Sequence, residues 1–485
     1  MPHSVKPRLC IHGHFYQPPR EDPFTGEYRQ EPSAAPYRDW NERITAECYT
    51  PNAESGCFDQ ISFNLGGTLA RWMAAHATGT YERIVNAVTS YRSRYGEGNA
   101  LAQSVHHTIL PLARGRDKRC QVFWGIASFG HRFGYRPTGR WIPEMAVDSE
   151  TLEVISGAGL RFVILSEEQV VGDLSRGAGP YRLELSGGRS LAVFVRENEL
   201  SNALSFGMPP ADRAKDWLND AMASRQPGLL SLIATDGETF GHHHSHGSKV
   251  LHQLVSPGPN DGYIVTTLDR ELRDAGPMTT LALRENTAWS CAHHLGRWAT
   301  GCPCTPGSSH WKGALRRALD NLSRDIDEVY VDVARRQNVA PWRLRDDYIH
   351  ILLNRMTPDA FLLRHDLAYI SSEARRQLLR LLEAQVHRQR MFVSCAFFFE
   401  DLERIEPRYT IASALQAAAL VYDATGDDLT GAFSRDLGIA ISPRTGRSGK
   451  DILDEILAHA DFSEGPLGGD MALSRPRNGR TRLRG

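Results

Sequence analysis

The sequence is short of the features that assign a chain quickly. No stretch reaches roughly 18 apolar residues in a row, which excludes a membrane-spanning helix. The opening segment MPHSVKPRLC has no long apolar run behind its basic residues, so it does not read as a secretory leader. An excess of one charge is missing too: 56 Lys and Arg stand against 57 Asp and Glu, a net of -1. That balance supplies no field to recruit nucleic acid or an anionic membrane, and neither is expected as a partner. Cysteine is sparse, with 8 in 485 residues. Apart from Cys291, Cys302 and Cys304 the thiols are scattered, unlike a disulfide framework. Reduced thiols in a soluble, cytoplasmic protein are therefore expected. Internal repeats are absent, as is the H-E-x-x-H signature of zinc hydrolases. What remains is an ordinary globular composition, 41% hydrophobic and 23% charged. The chain is long enough for a barrel of about 250 residues and more besides.

Short apolar runs bounded by Gly, Pro or charge read as buried strands: RLCIH (8–12), QVFWG (121–125), RFVIL (161–165), LAVFV (191–195), LLSLIAT (229–235) and GYIVTTL (262–268). Among them DSETLEVISGAGL (148–160) has helical spacing, ends in Gly, and leads straight into RFVIL. That is the helix-to-strand step of an α/β barrel or a doubly wound sheet. The pattern changes near residue 300. From Trp311 onward, Leu315, Leu319, Leu322, Ile326, Val329 and Val333 keep helical spacing until Pro341 stops the run. Further helical runs span 373–399 and 410–424. The expected organisation is a barrel over 1–295, an α-helical domain over 296–462 and a disordered Gly-, Pro- and Arg-rich tail over 463–485.

Two carboxylates stand out. Glu144, in GRWIPEMAVD (139–148), follows Pro143, and a Pro-Glu pair suits the first turn of a helix. Trp141 beside it offers a flat ring of the kind sugars stack on. Asp236, in LIATDGETFG (232–241), ends an apolar run, which places it at the C-terminal edge of a strand where barrels carry catalytic groups. Glu238 is close by. Two carboxylates from different strand ends, one ionised and one protonated, are what glycoside cleavage with retention requires. Histidines support a competing reading, a metal-dependent hydrolase or deacetylase built from His12, His14, His242, His243, His244 and His246. Against it, neighbouring histidines cannot all face one ion, and no metal is expected. Cys291, Cys302 and Cys304 read as packed thiols, because C-P-C plus one Cys falls short of a four-ligand pattern. The Met and Phe residues of HRQRMFVSCAFFFEDLERIE (387–406) read as bundle packing, unless a helical lid lends an aromatic ring to the barrel mouth.

The order of motifs adds a resemblance. HGHFYQPP (12–19), ISFNLGGTLARWM (61–73), HHTILPLA (106–113), GRWIPE (139–144) and TDGETFG (235–241) resemble, in sequence, the signature segments of glycoside hydrolase family 57. The resemblance implies an α/β fold, an incomplete TIM-like (β/α)7 barrel followed by an α-helical bundle. It implies a retaining enzyme of α-glucan metabolism, of amylase or 4-α-glucanotransferase type, acting on an oligo- or polysaccharide without a cofactor. Carried over by motif, Glu144 is the nucleophile and Asp236 the general acid/base, with His14, Gln17, His107, Trp141 and Glu238 shaping the sugar site. The first motif departs from the family's H-x-H-Q-P, since Tyr16 replaces the second His, so one sugar contact is altered. WSCAHHLGRW and SCAFFFEDLERIE resemble a bacterial subgroup distinct from the studied amylases. Its members are generally longer, so a missing C-terminal domain is expected. The alternative from another class is a catalytically silent glucan-binding protein.

Overall fold

The computed structural model describes residues 6–258 and 261–459. The tail expected from 463 onward lies outside the described residues. Seven strands organise the first half: β1 (Arg8–Phe15), β2 (Ser62–Leu65), β3 (Ala100–Leu101), β4 (Gly139–Arg140), β5 (Phe162–Ser166), β6 (Ser190–Arg196) and β7 (Leu230–Asp236). All their pairings are parallel, in the order β7-β1-β2-β3 in one sheet and β4-β5-β6 in another. Two thin seams close the sheets into a ring. At one, Ala102 donates to the Gly139 carbonyl at 3.1 Å and accepts from Trp141 N–H at 2.8 Å. At the other, Glu197 N–H of the β6 end reaches the Leu232 carbonyl of β7 at 3.0 Å, and Ala178 threads between the same two strands.

The strands are buried on both faces, which is why they read as continuous apolar runs. Side chains alternate between the barrel interior and the outer layer. Phe162 and Ile164 pack with Trp141, Leu232 and Phe194, whereas Val163 and Leu165 pack outward with Ile155 and Val193. The β5-to-β6 connection carries no crossing α-helix. Instead Tyr181–Glu184 runs antiparallel to β6 and continues the sheet outside the ring through Thr280–Leu283.

Two strands expected from sequence are corrected. QVFWG lies inside α1 (Gly115–Phe133), which ends at Gly134 with φ 73. Cys120 and Trp124 of α1 face the helical half, Val122 and Ile126 face the β4–β6 layer, and Phe129 and Phe133 face the β1–β2 layer. A helix buried on three sides loses the polar stripe that would reveal its period. GYIVTTL shrinks to Ile264–Val265, a two-residue pairing with Arg8 and Leu9. The expected helix at 148–160 forms as α2 (Ser149–Gly157), with the Asp148 side chain accepting from Thr151 N–H.

The second half is helical. Its long members are α3 (His310–Arg336), α4 (Ser372–Arg390) and α5 (Ile405–Thr425). One apolar cluster runs from Cys120 and Trp124 of α1 through Leu319 and Ile326 of α3 to Leu381 and Leu415. A buried ion-pair chain crosses the same junction: Asp117 of α1 bonds Arg345 at 2.6 Å and Arg388 at 2.8 Å, and Arg388 bonds Asp327 at 2.7 Å. Burial alone would raise the Asp117 carboxyl, but the Arg388 and Arg345 guanidiniums hold it down at about 2. Among the described residues no helix is long and apolar enough to cross a membrane.

Candidate active site

The polar residues gather at the C-terminal ends of the strands. His14 on β1 has Asn64 on β2 and Asp236 on β7 as its cross-strand partners, so three polar side chains lie abreast. A cavity of about 690 Å³ opens there. Of the residues singled out from sequence, His14, Tyr16, Gln17, His107, Glu144, Asp236, Glu238, His242 and His243 line it.

Glu144 does not open a helix. Pro143–Met145 forms a single 3-10 turn in which Glu144 has φ 56 and ψ 18, and Met145 follows at φ 46. Two consecutive left-handed non-glycine residues cost on the order of 1–3 kcal/mol each, so the surroundings must impose them. They do: Gln169 donates to the Met145 carbonyl at 2.7 Å, and Trp289 N–H donates to the Glu144 carbonyl at 3.2 Å. The turn aims the Glu144 carboxyl into the cavity, where one oxygen accepts from Ser290 Oγ at 2.7 Å and from Trp289 Nε1 at 3.2 Å. Enclosure raises its pKa from the ordinary carboxylate value, while Ser290, Trp289 and the charge of Arg297 work the other way.

Asp236, the last residue of β7, lies among like charges. Loss of solvent first, then the negative charges of Glu238 and Glu144, push it up to about 8, with Arg196 opposing. Arg196 is fixed by the Ala234 carbonyl at 2.8 Å and by Asn198 and Asn202, each at 2.7 Å. At neutral pH Asp236 therefore keeps its proton. Glu238 accepts from Tyr49 OH at 2.5 Å, Tyr16 N–H at 3.2 Å and Gln17 Nε2 at 3.4 Å. Burial lifts its carboxyl to about 7 despite these donors.

His14 and His107 join the two halves of the molecule. Nδ1 of His14 meets the Asn64 amide, His14 Nε2 lies 3.1 Å from His107 Nε2, and His107 Nδ1 lies 2.7 Å from Ser394 Oγ. Burial depresses both imidazoles, His14 to about 4, so each is neutral and can donate from one nitrogen while accepting at the other. Ser394, Cys395, Phe398 and Phe399 lie in the segment read as bundle packing. Cys395, Phe398 and Phe399 line the cavity, so the helical half walls the site. Tyr16, at the position that departs from the family motif, stacks on His107 with centroids 4.0 Å apart and receives the Cys395 thiol at 3.5 Å.

Trp141 differs from its expected place. Its ring is fully buried, stacked on His12 at 5.0 Å and His14 at 4.8 Å, and it does not line the cavity. It supports His14 from behind, and Trp289 is the indole at the cavity wall. Trp289 and Ser290 carry no local signal of this role, because their bonds to Glu144 span 145 and 146 positions. The histidines proposed for a metal go separate ways. His12 bonds Ser62 and Asn64, His242 bonds Glu47, and His244 and His246 face the carbonyls of Ser205 and Pro209.

Comparison with known proteins agrees with this architecture. The family model for glycosyl hydrolase family 57 matches residues 42–287, and that of a domain of unknown function (DUF3536) matches residues 308–481. Alpha-amylase 1 of Dictyoglomus thermophilum is 24% identical over 183 residues, 37% of this chain and 26% of the relative. The 4-alpha-glucanotransferase of Thermococcus litoralis is 19% identical over 188 residues, 38% of this chain and 27% of the relative. These matches thus span about a quarter of the curated relatives' length. Among solved structures, an exo-type maltose-forming amylase from Pyrococcus sp. ST04 superposes with TM-score 0.73 at 14% identity, covering 89% of this chain and 82% of that one. A GH57-type branching enzyme from Pyrococcus horikoshii superposes with TM-score 0.58 at 14% identity, covering 94% of each. With half of its length matched by the family model and the fold shared, the chain belongs to glycosyl hydrolase family 57.

Proposed function

We propose that the protein is a retaining glycoside hydrolase or transglycosylase acting on α-linked glucan, with Glu144 as nucleophile and Asp236 as general acid/base. The observation that carries the reading is one cavity holding both a carboxylate stabilised by two donors and a carboxyl kept protonated at neutral pH. In the first step the Glu144 carboxylate attacks the anomeric carbon as the glycosidic C–O bond breaks, and Asp236 gives its proton to the leaving oxygen. Esterifying Glu144 removes a negative charge that had been raising Asp236. Asp236 then becomes the stronger acid, and its carboxylate takes a proton from the incoming water or sugar hydroxyl. That nucleophile attacks the same carbon and releases Glu144. His14, His107, Gln17 and Glu238 would hold sugar hydroxyls, with Trp289 rather than Trp141 as the stacking surface.

The α-glucan assignment draws on the names of the curated relatives, an amylase and a 4-alpha-glucanotransferase. In this reading the barrel supplies both carboxylates, and Cys395, Phe398 and Phe399 of the helical half complete the wall. The test is to incubate wild type and Glu144→Gln with maltooligosaccharides and glycogen, following chain lengths and reducing ends. Shortening or redistribution that falls by at least about 10³-fold in the variant supports the nucleophile. A constant reducing-end count identifies transfer, and a rising one hydrolysis. Glucan binding without any product overturns the enzymatic reading in favour of a silent binding protein.

A further inference from the structure

Outside the cavity the fold brings together a second set of reactive side chains. Ligand atoms of Cys291, His293, Cys302 and Cys304 all lie within 4.8 Å of one another. In sequence the three thiols, with His293 and His294 beside them, fall short of the usual paired-Cys pattern; in the fold His293 comes in as a fourth ligand. Two backbone features double the chain back so that Cys302 and Cys304 meet Cys291. His294 adopts the left-handed φ of 59. Gly301, at φ +94, lies against Ser309, whose carbonyl would be 2.3 Å from a Cβ there, so only Gly fits.

The spacing has a specific chemistry. Cys291 Sγ lies 3.7 Å from Cys302 Sγ and 3.9 Å from Cys304 Sγ, and His293 Nδ1 lies 3.1 Å from Cys304 Sγ. A tetrahedron with Zn–S of about 2.3 Å and Zn–N of about 2.0–2.1 Å has edges of about 3.8 Å between sulfurs and about 3.5 Å from sulfur to nitrogen. All three cysteines are free thiols. Backbone N–H groups of Cys304 and Ala292 point at the Cys302 and Cys304 sulfurs, the outer-shell bonding that orients thiolate ligands. Cys291 and Cys302 are buried, Cys304 is half-buried and His293 is exposed, so an ion has a way in from the rim.

We propose that Cys291, His293, Cys302 and Cys304 form a Cys3His site for one zinc ion. Four protein ligands leave no open coordination position, so the centre is structural. Its place in the chain gives it a task. Cys291 directly follows Trp289 and Ser290, the donors to Glu144, and Cys302 and Cys304 lie on the segment that leads into α3. The ion would pin the end of the donor loop to the entrance of the helical half.

The experiment is metal binding by the full chain, with no readout that depends on glucan activity. Metal-free wild type is titrated with zinc against a chromogenic chelator and, separately, with cobalt. Expected are one ion per chain, a dissociation constant below about 10 nM, and the intense visible bands of tetrahedral cobalt with a thiolate charge-transfer band. Zinc should also raise the melting temperature of the metal-free protein. Cys302→Ser should lower the charge-transfer intensity by about a third. His293→Ala changes an exposed residue, leaves the fold intact, and should weaken zinc by at least about 10-fold. Folded wild type that takes up no zinc from the chelator and gives no thiolate band with cobalt would overturn the proposal. So would a Cys291–Cys302 disulfide in freshly prepared, metal-free protein.

Discussion

Glu144, just beyond β4, and Asp236, at the end of β7, are both enclosed and both line the same cavity, yet their neighbours differ in kind. Around Glu144 stand a hydroxyl, an indole N–H and a distant guanidinium, all of which favour its charge. Around Asp236 stand two other carboxylates, outweighing a single Arg. Enclosure is the largest influence on both groups and pushes both the same way. The partners differ in sign: those of Glu144 oppose the upward shift, whereas Glu238 and Glu144 add to that of Asp236.

Three substitutions break or sharpen that contrast. The largest effect falls on Asp236→Asn, which removes the proposed proton donor. Turnover of glucan should drop about 10²–10⁴-fold, with much of the loss in the first step recovered on substrates whose leaving group needs no proton. Ser290→Ala makes the surroundings of Glu144 resemble those of Asp236. A hydrogen bond to a charged group contributes about 1.5–3 kcal/mol, so kcat/KM should fall by roughly 10-fold or more, and the acid limb of the pH profile should move to higher pH. Glu238→Gln acts on the other side with the smallest effect. In the proposed mechanism Asp236 acts protonated, so the wild-type basic limb should lie near pH 8. Removing the Glu238 charge lowers the Asp236 value, and the limb should shift toward lower pH, read from kcat/KM against pH.

The sequence disclosed the long strands and hid the short ones. β1, β5, β6 and β7 have four or more apolar residues in a row or nearly so, whereas β3 and β4 are two residues each and leave no period to read. Asp236 was legible because it terminates such a run. The placement of Glu144 was not, because Pro-Glu is what the first turn of a helix looks like, and bonds from the distant Gln169 and Trp289 help to hold the left-handed turn instead. Trp141 and Trp289 illustrate the same limit: both are indoles near Glu144, and only three-dimensional packing decides which one is covered by His12 and His14. Ser394 reaches His107 across 287 positions, a pairing that no local pattern announces.

The Asp117 ion pairs also bear on how the molecule is made. Their partners Arg345 and Arg388 lie 228 and 271 positions downstream. At roughly 5–20 residues per second of synthesis, α1 emerges from the ribosome about 10–50 s before its counter-ions do. During that interval a helix destined for burial on three sides carries an unpaired carboxylate and an uncovered apolar face. The Asp117–Arg388 pair therefore forms only after α4 has been made.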